Sequence, residues 1–595
     1  MQISKSKFIN YIRCKRYCAL DKIHSNYSAA EYEEREKIRE YLSNFSNEFE
    51  EEKNNEVNEH LETMLPYFSK IEELAARQIK DKFKGELVFS NETSKQKCFK
   101  YEHNNHNYIC YIDIFQEDEN SVNIFEVKAT TTKKFLDLGG KSPLFCEDKD
   151  KVLILNEYFD SEVLKDEKYL KAKAKLFDKY HKVGRYVYDL AFQAYIILNS
   201  SSGTNKKTNY YLATLNSNYI YRGKEIDKNY NYPKDFENNE IITLIDLTQI
   251  VKSYKDIFML DFMRVEGYIK SNDLSRVRID KKYCQIKDMK KCDYVSYCWD
   301  KIPEKNSILM YLHNHHGFKD ESNFKYDVTD FINEGKVKMQ DIPYELLNRE
   351  NNKIQRLVID EKEPYININK IKKGLEQIKY PIYHLDFETF PCPLPRFYGE
   401  KSYTQSVFQF SLHIEEKEGI CDKEKNHFEF LAPDHKDHRE ELIKKLIEYI
   451  DTSTNGTILV YNQSFEKKRL EELAEIFPEY REELDKMIGM LFDLMYIVKG
   501  SENFYKSIGY SGSDIKTINY YHEELSGSYS IKKVLPIFSD LKYSDLNVQN
   551  GMEAVIFYAN EEKLKNQRSE LLKYCQQDTW AMFEVLMGIK KNVIG

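Results

Sequence analysis

Two carboxylates sit two residues apart in the otherwise apolar and aromatic run YHLDFETF (383–390), and no other stretch restricts this chain more. In a β-strand, side chains at i and i+2 share a face, so Asp386 and Glu388 project together while Leu385, Phe387 and Thr389 take the other side. Like charges on one face repel, and burying them without partners costs several kcal/mol. They must be neutralised by a metal, paired with cations, or exposed at a strand end. The D-x-E pattern alone is common: Asp160-Ser-Glu162 and Asp422-Lys-Glu424 repeat it in polar surroundings. The apolar setting separates the 386/388 pair from these.

At 595 residues the chain is long enough for two to four domains, each with its own core. No apolar run approaches the roughly 20 residues that span a bilayer, and the first residues lack the apolar core of a signal peptide, so a cytoplasmic protein without a membrane partner is expected. The net charge of -9 provides no global basic field. Any nucleic-acid binding therefore uses local patches or metal ions. Eleven cysteines in a chain of this kind argue against a disulfide framework. Cys98, Cys110, Cys146, Cys392, Cys421 and Cys575 are scattered and read as ordinary packed or surface thiols. Cys284, Cys292 and Cys298 are grouped, and Cys14 and Cys18 lie near the start.

Along the chain, residues 28–80 have helical periodicity, and short β-branched and aromatic runs follow from about residue 85: GELVFS, NYICYIDIF and VNIFEVKATT. GRYVYDLAFQAYIILN reads as a helix, NYYLATLN and SNYIYRG as strands, and 243–275 as helical again. A second series of strands and helices begins near 380. The expected organisation is an α/β protein with domains over 1–300 and 376–595, helical insertions, and a connecting region over 301–375.

In the second half, the strand ILVY leads into Asn462 and a helix start carrying Phe465 and Glu466. Further on, Tyr574 and Asp578 are four apart, on one face of a helix. Together with Asp386 and Glu388 these stretches resemble the three motifs of the DEDD exonuclease superfamily: D-x-E, N-x-x-F-D and Y-x-x-x-D. The resemblance covers about residues 380–595 and implies an RNase-H-like domain. Asp386, Glu388 and Asp578 would be ligands for Mg or Mn, and Tyr574 would orient the attacking water. Glu466 stands where the superfamily has Asp. Asn462 and Phe465 would be positioning residues, with Ser530 as the cap of a helix beside the substrate groove; Asp493 is the fallback acidic residue for Glu466, though it reads first as structural. The physical logic is that two divalent ions about 3.5–4 Å apart, held by hard carboxylate oxygens, serve phosphodiester hydrolysis.

In the first half, Asp113 lies on one strand and Glu126-Val-Lys128 on the next. Glu126 and Lys128 share a face in the apolar run VNIFEVKA, where an unpaired ammonium is expensive. This resembles the PD-(D/E)XK nuclease core of restriction-endonuclease-like and RecB-type enzymes, which implies metal binding by Asp113 and Glu126 and a catalytic role for Lys128. Gln193, in the helix that follows, resembles the RecB-type glutamine. Glu72, in the preceding helix, could supply another acidic group, though it reads first as a surface helix glutamate. AddB-like and CRISPR-associated relatives of RecB bind a 4Fe-4S cluster with one cysteine before the nuclease core and three after it. By that resemblance Cys14, Cys284, Cys292 and Cys298 would be the cluster ligands, with Cys18 the substitute for Cys14. Four thiolates also suit zinc, and residue types alone leave the two open.

The order of the two halves resembles an uncharacterised bacterial family whose C-terminal part is a domain of unknown function, on the stretches YPIYHLDFETF, SVFQFSLH, LVYNQSFEKKRLEELA, GSYSIKKVLP and YCQQDTWAM. The expected function is a metal-dependent nuclease acting on DNA or RNA, with a 3′-5′ exonuclease-like C-terminal site and a RecB-like N-terminal site, and with single-stranded nucleic acid as partner. The alternatives are a catalytically inactive nucleic-acid-binding scaffold with a structural metal cluster, and a zinc protein that acts through partner binding.

Overall fold

The computed structural model describes residues 1–48, 64–201, 206–223, 226, 230–280, 284 and 292–594. The protein is mixed α/β, and its contacts divide it into two compact units. The first takes in the described residues from Met1 to Cys298 together with Pro391–Thr404. The second takes in Trp299–Phe390 and the described residues from Gln405 on. Residues 299–375 thus lie within the second unit.

The strands of the first unit are, in chain order, β1 (Gln2–Ser4), β2 (Glu86–Phe89), β3 (Lys97–His103), β4 (His106–Ile112), β5 (Ile114–Glu117), β6 (Ser121–Thr131), β7 (Phe145–Glu147), β8 (Leu153–Leu155), β9 (Lys207–Leu215) and β10 (Ile242–Asp246). They form a three-stranded sheet in the order β1-β4-β3 and a seven-stranded sheet in the order β2-β5-β6-β9-β10-β8-β7. β5 runs antiparallel to both β2 and β6, whereas β6 and β9 are parallel and joined through the helix Gly184–Asn199. β6 is buried along nearly its whole length, as expected of a central strand covered on both faces. The run NYICYIDIF is not one strand: β4 belongs to the small sheet, β5 to the large one, and Asp113 is the residue at which the chain changes sheets. SNYIYRG forms no strand.

The second unit contains the short pairs β11 (Phe318–Lys319) with β12 (Lys325–Tyr326) and β13 (Tyr365–Ile366) with a distant β19 (Tyr520–Tyr521). Its main sheet is built from β14 (Ile382–Pro391), β15 (Gln405–Glu415), β16 (His427–Leu431), β17 (Thr457–Val460) and β18 (Leu491–Asp493), in the order β16-β15-β14-β17-β18. β14, β17 and β18 are parallel, and β15 and β16 are antiparallel. The alternation read from YHLDFETF holds. Tyr383, Leu385 and Phe387 join one apolar cluster with Leu442, Leu446, Leu470 and Leu473 of the helices Arg439–Tyr449 and Gln463–Ile476. His384 meets Phe583 of the long helix Arg568–Ile594, and Asp386 meets Cys575 of the same helix. The two carboxylates therefore face a helix that carries further polar groups.

Candidate functional site

In the second unit, three separated stretches converge on one cavity of about 310 Å³. Asp386 from β14, Glu466 from the first turn of Gln463–Ile476, and Tyr574 and Asp578 from the long helix all line it, as do Asn462, Phe465 and Ser530. Glu388 is buried beside Asp386, and ligand atoms of Asp386, Glu388 and Cys575 lie within 4.8 Å of one another. The Cys575 thiol reaches the Asp386 carboxylate at 3.6 Å. Burial, then the negative charge of Asp386, holds this thiol well above the ordinary range. Burial also raises the Asp578 carboxyl, opposed by the Lys532 ammonium and by hydrogen bonds from Tyr543 and Tyr574; the Tyr543 hydroxyl donates at 2.5 Å.

Glu466 is only 2% exposed, so its longer side chain stays in the interior. Asp493 does not line the cavity. It accepts the backbone N–H groups of Asn462 and Gln463 at 3.1 Å each and of Met495 at 2.9 Å, which caps the helix carrying Glu466. Asn462 takes up a left-handed conformation (φ +80°), one that asparagine tolerates, where the strand turns into that helix. Ser530 occupies the cap position of Ile531–Phe538, but its side chain makes no capping hydrogen bond. Lys499 and Lys532 supply positive charge on the cavity wall, and Tyr461, Phe465 and Tyr529 supply aromatic faces.

In the first unit, Asp113, Glu126 and Lys128 line one small cavity. The Asp113 carboxylate accepts the Val127 backbone N–H at 2.9 Å and the Gln96 side-chain amide at 3.3 Å, which ties the sheet-changing residue to β6. Glu126 is 2% exposed; it takes Lys5 at 2.5 Å and Lys128 at 3.0 Å, and accepts the Gln193 amide at 2.5 Å. Lys128 also meets Glu40 and Asp189, each at 2.9 Å. Burial would raise the Glu126 carboxyl, yet Lys5 and Lys128 bring it down to about 2, and burial together with repulsion from Glu126 pushes Asp113 up to about 7. Glu72 is not a surface residue: it is 2% exposed, paired with Lys37 at 2.6 Å and hydrogen-bonded by Tyr41. A glutamate on the inward face of the amphipathic helix Leu65–Lys82 has no water to turn to, and this pairing compensates it.

Cys14, Cys284, Cys292 and Cys298 line a third, small cavity with Arg13 and Arg16, while Cys18 is buried elsewhere in the core. Arg16 donates to the Cys298 sulfur at 3.5 Å, and Cys292 donates its backbone N–H to the Cys284 carbonyl at 3.1 Å. Burial raises the Cys14 and Cys284 thiols and pushes Cys292 up to about 11.

Sequence reasoning passed over several participants. Asp189 lies one turn before Gln193 on the same helix face, a spacing that was available as a signal. Cys575 lies between Tyr574 and Asp578 but gave no sign beyond its neighbours. Lys5, Lys37 and Glu40 arrive from the N-terminal segment, and nothing in their local sequence marks them.

A family model described as "Domain of unknown function (DUF2779)" matches residues 383–530. The uncharacterized protein MG366 of Mycoplasma genitalium is 29% identical over 250 residues, 38% of this chain and 35% of its own length. The uncharacterized protein UU173 of Ureaplasma parvum is 29% identical over 232 residues, 35% and 31% of the two chains. The chain thus spans about a third of the length of these curated relatives. No solved structure matches.

Proposed function

We propose that the protein is a metal-dependent nuclease. One observation carries this reading: carboxylates from three distant stretches, Asp386 with Glu388, Glu466, and Asp578, gather around one cavity whose wall also bears lysines and aromatic rings. The strand order β16-β15-β14-β17-β18, with the carboxylate pair on the central strand, supports an RNase-H-like, DEDD-type assignment for the second unit. The succession of helix Leu65–Lys82, β2, β5, β6, helix Gly184–Asn199 and parallel β9 supports a PD-(D/E)XK assignment for the first.

The residues fit divalent ions. Several hard oxygen donors share a buried region, and burial raises the Asp578 carboxyl, as expected where a cation would relieve the charge. Asp386, Glu388, Glu466 and Asp578 would hold Mg or Mn, and Asp113 and Glu126 an ion at the first site; such ions, when bound, make a nucleophile from water and stabilise the leaving oxygen. Tyr574 orients the water through its hydroxyl. Lys532 and Lys499 attract the phosphate backbone, and Tyr461, Phe465 and Tyr529 offer faces on which bases of a single strand stack. At the first site, Lys128 is held in place by Glu40 and Asp189, poised to stabilise charge developing on a phosphate.

The cysteine cavity offers four thiols, the donor set that would hold an all-thiolate group, 4Fe-4S or zinc. Its arginines offset the negative charge that four thiolates bring.

The test is cleavage of end-labelled single-stranded DNA and RNA by anaerobically purified protein with Mg or Mn. Loss of 3′ trimming in Asp386→Ala, with trimming kept in Lys128→Ala, assigns that activity to the second unit. Loss in Lys128→Ala alone moves the chemistry to the first. Binding without cleavage by the wild type overturns the enzyme reading in favour of a scaffold.

A further inference from the structure

The second unit carries another cluster of donor atoms, outside both carboxylate sites. His313, His315 and His316 are exposed, and one ring nitrogen from each lies within 4.8 Å of the others. The imidazole centroids of His315 and His316 are 4.0 Å apart, and His313 stands 6.1 and 6.2 Å from them. From this geometry we infer that His313, His315 and His316 form a surface site for a first-row divalent transition ion of the zinc or nickel class.

The turn that presents the rings is firmly built. His313 adopts the left-handed conformation (φ +58°) before the short 3-10 turn Asn314–His316, and Gly317, at φ +67°, follows it with a positive φ of its own. Left-handed backbone is strained for a non-glycine residue. Here it brings His313 back towards His315 and His316. The flanks are anchored: Tyr311 is buried and its hydroxyl donates to the Met339 carbonyl at 3.0 Å, Leu312 donates its N–H to Gln355 at 2.8 Å, and Phe318 is buried. Arg349 holds the Gly317 carbonyl at 2.9 Å. A metal would draw in rings on a fixed turn rather than order a loose one, so less conformational entropy opposes binding.

The donor chemistry fits. Neutral imidazole suits zinc, nickel and copper, whereas Mg and Mn prefer the carboxylate sites. Three protein ligands at the surface leave a coordination position open to water or an anion.

The inference does not depend on the nuclease reading. It is tested on the full, untagged chain by equilibrium dialysis against Ni²⁺, comparing wild type with the double variant His315→Ala/His316→Ala and with His313→Ala. The cysteine and carboxylate sites are the same in all three proteins, so any difference belongs to the histidines. The expected result is one equivalent fewer in the double variant and affinity weaker by at least tenfold in His313→Ala. Co²⁺ loading should give visible d–d bands that the double variant lacks. Equal stoichiometry in wild type and double variant overturns the site. Unchanged affinity in His313→Ala reduces it to an ordinary two-histidine chelate and overturns the three-ligand assignment.

Discussion

Asp113→Asn should make the first unit more stable at alkaline pH while abolishing any activity of its site. Burial and the neighbouring Glu126 push the Asp113 carboxyl from 3.8 up to about 7. Below pH 3.8 the group is protonated whether the chain is folded or not, and it contributes no pH dependence. Between 3.8 and about 7 the unfolded chain releases this proton while the folded protein keeps it, so stability falls as pH rises. At about 1.4 kcal/mol per pH unit, the loss amounts to about 4 kcal/mol by neutral pH. Asparagine removes that penalty. It cannot serve both present donors, the Val127 N–H and the Gln96 amide, with two carboxylate oxygens, and the lost hydrogen bond costs about 1 kcal/mol. The net expectation is a variant about 3 kcal/mol more stable at pH 8 and about 1 kcal/mol less stable below pH 4. The probe must report the first unit. Trp299 and Trp580, the only tryptophans, both belong to the second, so urea midpoints should be read by pulsed alkylation of Cys110, which is wholly buried in β4. A variant equally or less stable at pH 8 would refute the claim that Asp113 is held there at an electrostatic cost. Millimolar Mn should narrow the gap between the two proteins at pH 8 by stabilising the wild type alone.

Glu466→Asp withdraws the carboxylate by one methylene, and a misplacement of about 1 Å can cost 10²-fold in rate; single-turnover 3′ trimming should fall by about that factor if Glu466 already fits its role. Lys532→Ala removes the main group that holds Asp578 down, so the acidic limb of the trimming pH–rate profile should move to higher pH. Cys575→Ser should leave Mg-supported trimming in place but require about tenfold more Cd²⁺ for inhibition, since a thiol beside Asp386 and Glu388 favours soft ions. Cys298→Ser should lose the metal of the cysteine cavity, read as iron and near-400-nm absorbance if the group is 4Fe-4S, or as zinc content if it is not.

Much of both sites was legible because chemistry imposes local patterns. The alternation at 383–388 predicted that Asp386 and Glu388 would share a face, and the four-residue spacing predicted the same for Tyr574 and Asp578; ligand atoms of the first pair lie within 4.8 Å of each other, and the second pair lines one cavity. What stayed hidden depends on long-range arrivals. The local sequence puts one lysine beside Glu126, yet a second, Lys5, 121 residues earlier, also stands 2.5 Å from it, brought there because β1 pairs with β4 and leads directly into the helix Lys5–Tyr11. Glu72 looked solvated because helical charge patterns do not say which neighbour covers a face. Asp113 looked like a mid-strand residue because an apolar run does not reveal that its two halves pair in different sheets.

The two carboxylate sites differ in how negative charge is compensated, and this bears on what each would do with a polyanionic substrate. At the first site the compensation is internal: Glu126 and Asp189 are paired with Lys5 and Lys128, and Glu72 with Lys37. A phosphate entering there competes with carboxylates for the same lysines, so productive binding requires an ion to take over the carboxylates. At the second site Lys532 and Lys499 stand on the cavity wall with aromatic rings; Lys532 also bears on the Asp578 carboxyl, while Asp386, Glu388 and Cys575 gather as a separate group of donors. Backbone contacts can form there before any ion binds. It follows that chelation should weaken single-strand binding by the Asp386→Ala protein little, while binding that depends on Lys128 should vanish with the metal; equal metal dependence of both would show that the pairing at the first site does not govern access to it.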